Sequence, residues 1–231
     1  TQDPFSLQNK KMLRVDMRYG EVWARKGSMV AYQGDVRFAN KGSGGLSKMI
    51  KSAVSGEGVP LMQCTGQGEL FLADAATEIQ VMYLQDDAIS VNGANILAFS
   101  GSVQWDIHRI QARGAAMTSG LYNVALSGTG YVAVLTKGDP VALDVASAPT
   151  FADAQAVVLW TSGVTMDLRI DTGGVASMVR GGTGETMQMA FGGQGFVLVQ
   201  PSESVVGGRG SAAGSGTGGQ GGGLLGSVFK G

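Results

Sequence analysis

The sequence predicts an all-β fold made of three tandem modules, because one strand pattern with the same glycine motif occurs three times. The motif Gly-x-Gly lies at 66–68, 128–130 and 193–195. Its second glycines are 62 and 65 residues apart, and the residues two and four positions later are apolar in every copy. A repeat that keeps its register in this way is typical of internal triplication.

The first half of each module also repeats. Tyr32, Phe99 and Trp160 occupy equivalent positions, and a valine follows each of them four residues later. We expect two strands joined by a turn at each of these places. The modules are predicted at about 12–86, 87–147 and 148–203, within one β body that spans 1–203.

Local patterns place the individual elements. Alternation of apolar and polar residues over 77–83 predicts a half-buried strand. Asn92-Gly93 is a hairpin-turn signal, and the adjacent Asp86 and Asp87 are expected in a turn between the first two modules. One short helix is predicted at 46–54, where apolar residues recur at helical spacing.

The repeated glycines are interpreted as structural. A dinucleotide-binding loop needs a following helix whose N-terminus faces the phosphates, whereas strands follow here. We expect bulges or close backbone approaches, where a side chain would clash or φ must be positive. The six positions are Gly66, Gly68, Gly128, Gly130, Gly193 and Gly195.

The chain changes character near its end. Of the 231 residues, 44% are hydrophobic, which is ample for a core, but 204–231 is glycine-rich and is predicted to be a flexible tail. Its apolar end can be interpreted as a docking element or as an end of no consequence. The residues concerned are Leu224, Leu225, Val228 and Phe229.

Charge is distributed unevenly along the chain. Residues 1–51 carry a net charge of +6 and the remainder −7. A basic first module could contact an anionic lipid surface, with Lys48, Ile50 and Lys51 of the predicted helix as candidate contacts, although solvated surface charge is the plainer interpretation. Nucleic acid is not expected as a partner, because aromatic residues do not interleave with these bases.

No catalytic, metal-binding or cofactor-binding residues are predicted. The single histidine, His108, cannot form a histidine-rich metal site, and it is interpreted as a surface residue at a strand end. The single cysteine, Cys64, lies in an apolar strand and is expected to be a buried thiol. The sequence has no stretch near the roughly 20 apolar residues of a membrane-spanning helix and no targeting pattern, so a cytoplasmic location is expected.

Several motifs in order resemble a known family. These are 26–32 (Lys-Gly-Ser-Met-Val-Ala-Tyr), the Gly-x-Gly repeats, and 192–202, which closes the last module. Over about 12–203 the chain resembles the bacterial branch of the altered inheritance of mitochondria protein 24 family. The resemblance implies a fold similar to the tryptophan RNA-binding attenuation protein, with three units about a pseudo-threefold axis.

The resemblance implies little about activity. Mitochondrial members of the family are linked to organelle biogenesis and inner-membrane organisation, while bacterial members have no established activity and no catalytic residues to transfer. We therefore expect a non-catalytic scaffold or interaction protein, with an unidentified protein partner and self-association into a homo-oligomer. The alternative is a module that binds a small ligand or an anionic lipid.

Overall fold

The structure is a computed structural model that describes residues 3–39, 59–110, 122–170 and 187–202. The helix predicted at 46–54 and the tail predicted at 204–231 lie outside these residues. Six candidate contact residues lie outside them as well: Lys48, Ile50, Lys51, Leu224, Leu225 and Phe229.

The described residues form fifteen β-strands and one 3₁₀ turn at Met17–Tyr19, without an α-helix. The prediction of an all-β protein is confirmed. The strands are β1 (Phe5–Asn9), β2 (Met12–Asp16), β3 (Val22–Arg25), β4 (Met29–Ala39), β5 (Leu61–Leu72), β6 (Glu78–Asn92), β7 (Ile96–Ser100), β8 (Gln104–Arg109), β9 (Tyr122–Thr136), β10 (Val141–Asp144), β11 (Thr150–Asp153), β12 (Val157–Thr161), β13 (Val164–Ile170), β14 (Met187–Gly193) and β15 (Phe196–Val199).

The strands form two antiparallel sheets. The larger sheet has twelve strands and follows the order β1-β2-β5-β3-β7-β9-β6-β12-β15-β10, with β4 added to β5 and β8 added to β9. The smaller sheet has the order β11-β14-β13. The segments that carry Gly-x-Gly are β5, β9 and the consecutive strands β14 and β15. Each of these four strands pairs with other strands along both of its edges.

Backbones approach each other closely at the first glycine motif. Gly68 lies opposite Gly34 across the β4–β5 pair, and its φ is +144°. A Cβ atom at position 68 would collide with the backbone carbonyl oxygen of Gln33. Only glycine therefore suits this position, for conformational and for steric reasons.

The prediction of a turn between two strands in the first module is wrong. The segment expected to be two strands is one continuous strand, β4, because Gly34 adopts a φ of +95° within the strand and no turn is needed. The segments aligned with it in the other two predicted modules do break, at 101–103 between β7 and β8 and at 162–163 between β12 and β13.

Asp86 and Asp87 do not lie in a turn between modules, as the sequence suggested. They lie inside β6, at a register shift between Leu84 and Asp87 that is a β-bulge against β9. Asp86 has a φ of +53°, and its backbone N–H donates to Thr129 Oγ1 at 3.0 Å. A bulge accommodates the extra residue without ending the strand.

Asn92-Gly93 marks a turn, but the turn does not close a hairpin. The strands on either side of it, β6 and β7, do not pair with each other. They pair with opposite edges of β9. The turn is instead held from another part of the chain, by Arg25.

Arg25 connects β3 to this turn through its guanidinium group. Its Nε donates to the carbonyl oxygen of Ile96 at 2.8 Å, and its Nη2 donates to those of Gly93 at 2.8 Å and Ala94 at 2.6 Å. The side chain is only 13% exposed, and burial lowers the pKa of the guanidinium group. Three carbonyl groups would lose a donor if this side chain were removed, which makes it a strong structural link.

Gln200 forms a second link, near the end of the described chain. Its Oε1 accepts from the backbone N–H of Lys137 at 3.0 Å and from Asn95 Nδ2 at 3.4 Å. Its Nε2 donates to the carbonyl oxygen of Gln155 at 3.3 Å. One buried amide therefore ties three loops together.

The core divides into three clusters of buried side chains. The first includes Leu70 and Leu72 of β5 together with residues of β2. The second surrounds Phe99 of β7. The third contains Trp160, whose ring lies 5.8 Å from that of Phe191. Strands of both sheets contribute to the third cluster, so the small sheet is packed against the large one.

Valine substitutions at Gly68 and Gly128 distinguish the cost of backbone strain from the cost of a steric collision. We expect Gly68→Val to lower the free energy of unfolding by more than the roughly 1–3 kcal/mol of a strained residue, because the side chain also meets the β4 backbone. Gly128→Val is the matched control, since φ is +105° there but the nearest heavy atom to an added Cβ is 3.9 Å away. Urea unfolding measures both, and equal losses would contradict the close approach.

Candidate interaction surface

Strand β4 is the most exposed element of the structure. Ten of its eleven residues are exposed, and Val36 alone is buried. Several of the exposed side chains are large and apolar, and we define the apolar β4 surface as Met29, Val30, Tyr32 and Phe38. The rings of Tyr32 and Phe38 contact each other edge to face at 5.5 Å.

The edge of β4 that faces away from β5 pairs with no other strand within the described ranges. Edge strands of this kind offer backbone donors and acceptors to another chain. Charged residues on edges discourage such pairing, and β4 has Asp35 and Arg37, which form an exposed ion pair at 2.8 Å. Its first half, 29–33, contains no charged residue.

The equivalent positions elsewhere in the chain are buried. The sequence repeat aligns Tyr32 with Phe99 of β7 and Trp160 of β12, which are 0% and 5% exposed, whereas Tyr32 is 47% exposed. Val30, which is 54% exposed, aligns with Leu97 and Val158, both of which are 0% exposed. In both buried cases a further strand pairs with the outer edge, β3 on β7 and β6 on β12.

A second candidate site is an open cleft of about 500 Å³ between β1–β3 and the strands β6 and β9. Its lining includes four aromatic and two acidic side chains. The residues that line it include Asp16, Tyr19, Glu21, Tyr83 and Tyr131.

Arg18 controls the charge of Asp16 in this cleft. Its Nε and Nη2 donate to the Asp16 carboxylate at 2.9 and 2.6 Å, and its backbone N–H donates to the same carboxylate at 3.1 Å. These hydrogen bonds lower the pKa of Asp16 to about 2. The carboxylate is therefore ionised at neutral pH and already has a cationic partner.

Two tyrosines of the cleft contact each other. The rings of Tyr83 and Tyr131 are 4.8 Å apart, and that of Tyr131 also stacks on Phe5 at 5.7 Å. The Tyr131 hydroxyl donates to Asp3 Oδ1 at 2.9 Å, and desolvation together with this bond raises the pKa of the phenol. Tyr131 is therefore a neutral hydrogen-bonding group at neutral pH.

The surroundings of Cys64 and His108 do not form a reactive site among the described residues. Cys64 is fully buried, as expected, and burial raises the pKa of its thiol to about 11. His108 lies at an exposed site in β8, 3.6 Å from the carboxylate of Asp106. No group of three metal-ligating side chains occurs in the part of the chain that the structure describes.

The sequence profile of the family described as Mitochondrial biogenesis AIM24 matches residues 5–202. The chain belongs to the AIM24 family. The resemblance inferred from the motifs is therefore confirmed. No curated protein matches the sequence significantly.

A solved structure extends the comparison to the fold. The crystal structure of protein SPYM3_0169 from Streptococcus pyogenes superposes on this AIM24-family chain with a TM-score of 0.68 and 26% sequence identity. The match covers 86% of this chain and 92% of the other. The all-β architecture is thus similar to one determined by crystallography.

The location predicted for this AIM24-family protein stays a prediction. Among the described residues, no helix is long and apolar enough to cross a membrane. The lipid contact predicted through Lys48 and Lys51 falls outside those residues.

Sequence reasoning did not identify either candidate site of this AIM24-family protein. A signal for the apolar β4 surface was present, since Tyr32 was aligned with Phe99 and Trp160. The alignment by itself contains no information on burial, however, because it does not show which strands have a neighbour on their outer edge. The cleft joins residues from distant segments, and no local motif marks it.

The pKa of Asp16 predicts a defined dependence of stability on pH. Because the folded-state pKa is about 2 and the ordinary value is 3.8, ionised Asp16 stabilises the fold fully above about pH 4, and this contribution disappears as pH falls to about 2. We expect the difference in unfolding free energy between wild type and Asp16→Asn to shrink across that interval. A difference that does not change between pH 5 and pH 2.5 in urea unfolding would contradict the Arg18 contact.

Proposed function

We propose that this AIM24-family protein is a non-catalytic interaction protein that binds another protein chain along β4. The observation that carries the proposal is the exposure of Val30 and Tyr32 at positions whose repeat equivalents are fully or almost fully buried. Contiguous apolar side chains beside a strand edge that no described strand covers favour addition of a strand from a partner, which combines backbone hydrogen bonds with side-chain contacts.

The proposal includes a three-module body. Its support is the strand pairing around each Gly-x-Gly segment. The segment pairs with the strand that precedes it in the module, as in β4–β5, β8–β9 and β13–β14. A third strand pairs with the other edge, namely β3 on β5, β6 on β9 and β11 on β14. Arrangement about a pseudo-threefold axis remains part of this proposal.

A photo-crosslinking residue tests the proposed function in the native host. At position 32 it should capture protein partners, because this side chain lies on the apolar β4 surface. The matched control is position 87, which is exposed on β6. Val30→Glu in the same chain should suppress capture at position 32, since a charge would be buried in the interface.

Equal capture at positions 32 and 87, or capture that Val30→Glu leaves unchanged, would show that β4 is not the interaction surface. Both positions are exposed, so the melting temperature should be the same for the two labelled proteins, and this measurement serves as the folding control.

A second candidate function, binding of a small ligand, is favoured by the cleft. Ring faces of Tyr83 and Tyr131 next to carboxylates suit an organic cation, which aromatic faces attract. Tetramethylammonium and spermidine are suitable probes. Titration calorimetry should show saturable binding that Tyr83→Ala weakens about 5-fold or more, whereas Tyr32→Ala, outside the cleft, should leave it unchanged. Equal heats for wild type and Tyr83→Ala would contradict this function.

A further inference from the structure

Two junctions between modules are made in the same way. In the first, β3 pairs with β7 so that Val22 faces Ser100 and Trp23 faces Phe99. In the second, β6 pairs with β12 so that Ile89 faces Thr161 and Ser90 faces Trp160. In each junction, a strand of one module covers the outer edge of a strand of the next module, β7 in the first case and β12 in the second.

The two junctions have the same register. Val22 and Ile89 are equivalent because they face Cys64 and Leu126, each four residues before the second glycine of its motif. Ser100 and Thr161 are equivalent because each follows the aligned aromatic residue, Phe99 or Trp160, by one position.

The same rule specifies a third junction. Thr150 of β11 faces Phe191, again four residues before the second glycine, and Gln33 follows Tyr32 by one position. The register therefore places Thr150 opposite Gln33, and Phe151 opposite Tyr32. This junction is not made within the chain, where β4 and β11 belong to different sheets.

We propose that β11 of a second copy of this chain pairs with β4 in this register, Phe151 against Tyr32 and Ala152 against Ala31. The inference rests on the proposed function and names its partner. Tyr32 is 47% and Phe151 is 52% exposed, so an aromatic pair would be covered when the strands meet, as Trp23 and Phe99 are opposed in the first junction. Because two different strands meet, the contact closes a reciprocal dimer or a larger ring, or extends as a filament.

Paired cysteines test the register with purified protein. Tyr32→Cys and Phe151→Cys are prepared as separate chains, one with a mass tag, then mixed and mildly oxidised. Directly opposed residues of antiparallel strands are close enough for a disulfide. We expect a crosslinked heterodimer on a non-reducing gel only in the mixture. Cys64 is buried and should not compete.

Gln33→Cys mixed with Phe151→Cys is the matched control. Adjacent strand residues point to opposite faces, so this mixture should crosslink at least about 10-fold less. Equal crosslinking of the two mixtures would overturn the register. In the Tyr32→Cys/Phe151→Cys double variant, a crosslinked monomer without oligomers would show closure within one chain and would overturn the pairing between copies.

Hydrogen exchange of the wild-type chain gives an answer that depends on no variant. Amide protection in 29–33 and in 150–153 should rise together with protein concentration. Protection that is independent of concentration would overturn self-assembly. If position 32 still captures other proteins in the host, the proposed function survives; if it captures nothing, both proposals fail.

Discussion

The structure depends on close antiparallel pairing along both edges of the strands that carry Gly-x-Gly. At Gly68 the backbone of β4 occupies the space that a side chain would need, so the two strands are held at a separation that only glycine permits. Because β5 and β9 are each flanked on both sides, they organise the large sheet, and their apolar residues reach the core clusters.

Long-range polar contacts complete this arrangement. The guanidinium group of Arg25 donates to two carbonyl oxygens in the turn between β6 and β7 and to that of Ile96 at the start of β7. The amide of Gln200 joins the loops near 95, 137 and 155. Buried polar groups are costly unless they are paired. These contacts therefore stabilise one particular arrangement of the loops. Apolar packing is not directional and would fix that arrangement less strictly.

The exposure of the apolar β4 surface is also a consequence of how the strands pair. Strand β4 pairs with β5 along one edge, and no described strand covers its other edge. Its residues at 30 and 32 are large, apolar and exposed. In an isolated domain such an edge invites aggregation unless a partner covers it. The register shared by the other two junctions supports the proposal that the partner strand is β11 of a second copy, which exposure alone would not suggest.

The sequence by itself determined the strand content and the family, because alternation of side chains and the order of the motifs are local properties of the chain. It also indicated the burial of Cys64 from the apolar strand around it. It did not determine where a strand continues or bends, as β4 and the Asp86–Asp87 bulge in β6 show, since pairing with a distant strand decides this.

Tertiary structure alone decided which repeated positions are buried. Tyr32, Phe99 and Trp160 look equivalent in sequence, but burial requires a strand on the outer edge. Among the strands that the structure describes, β7 and β12 have one and β4 does not. The cleft of Asp16, Tyr83 and Tyr131 likewise exists only after β1–β3 and β6–β9 meet. Contacts between residues far apart in sequence depend on how the sheets come together, and no local pattern records this.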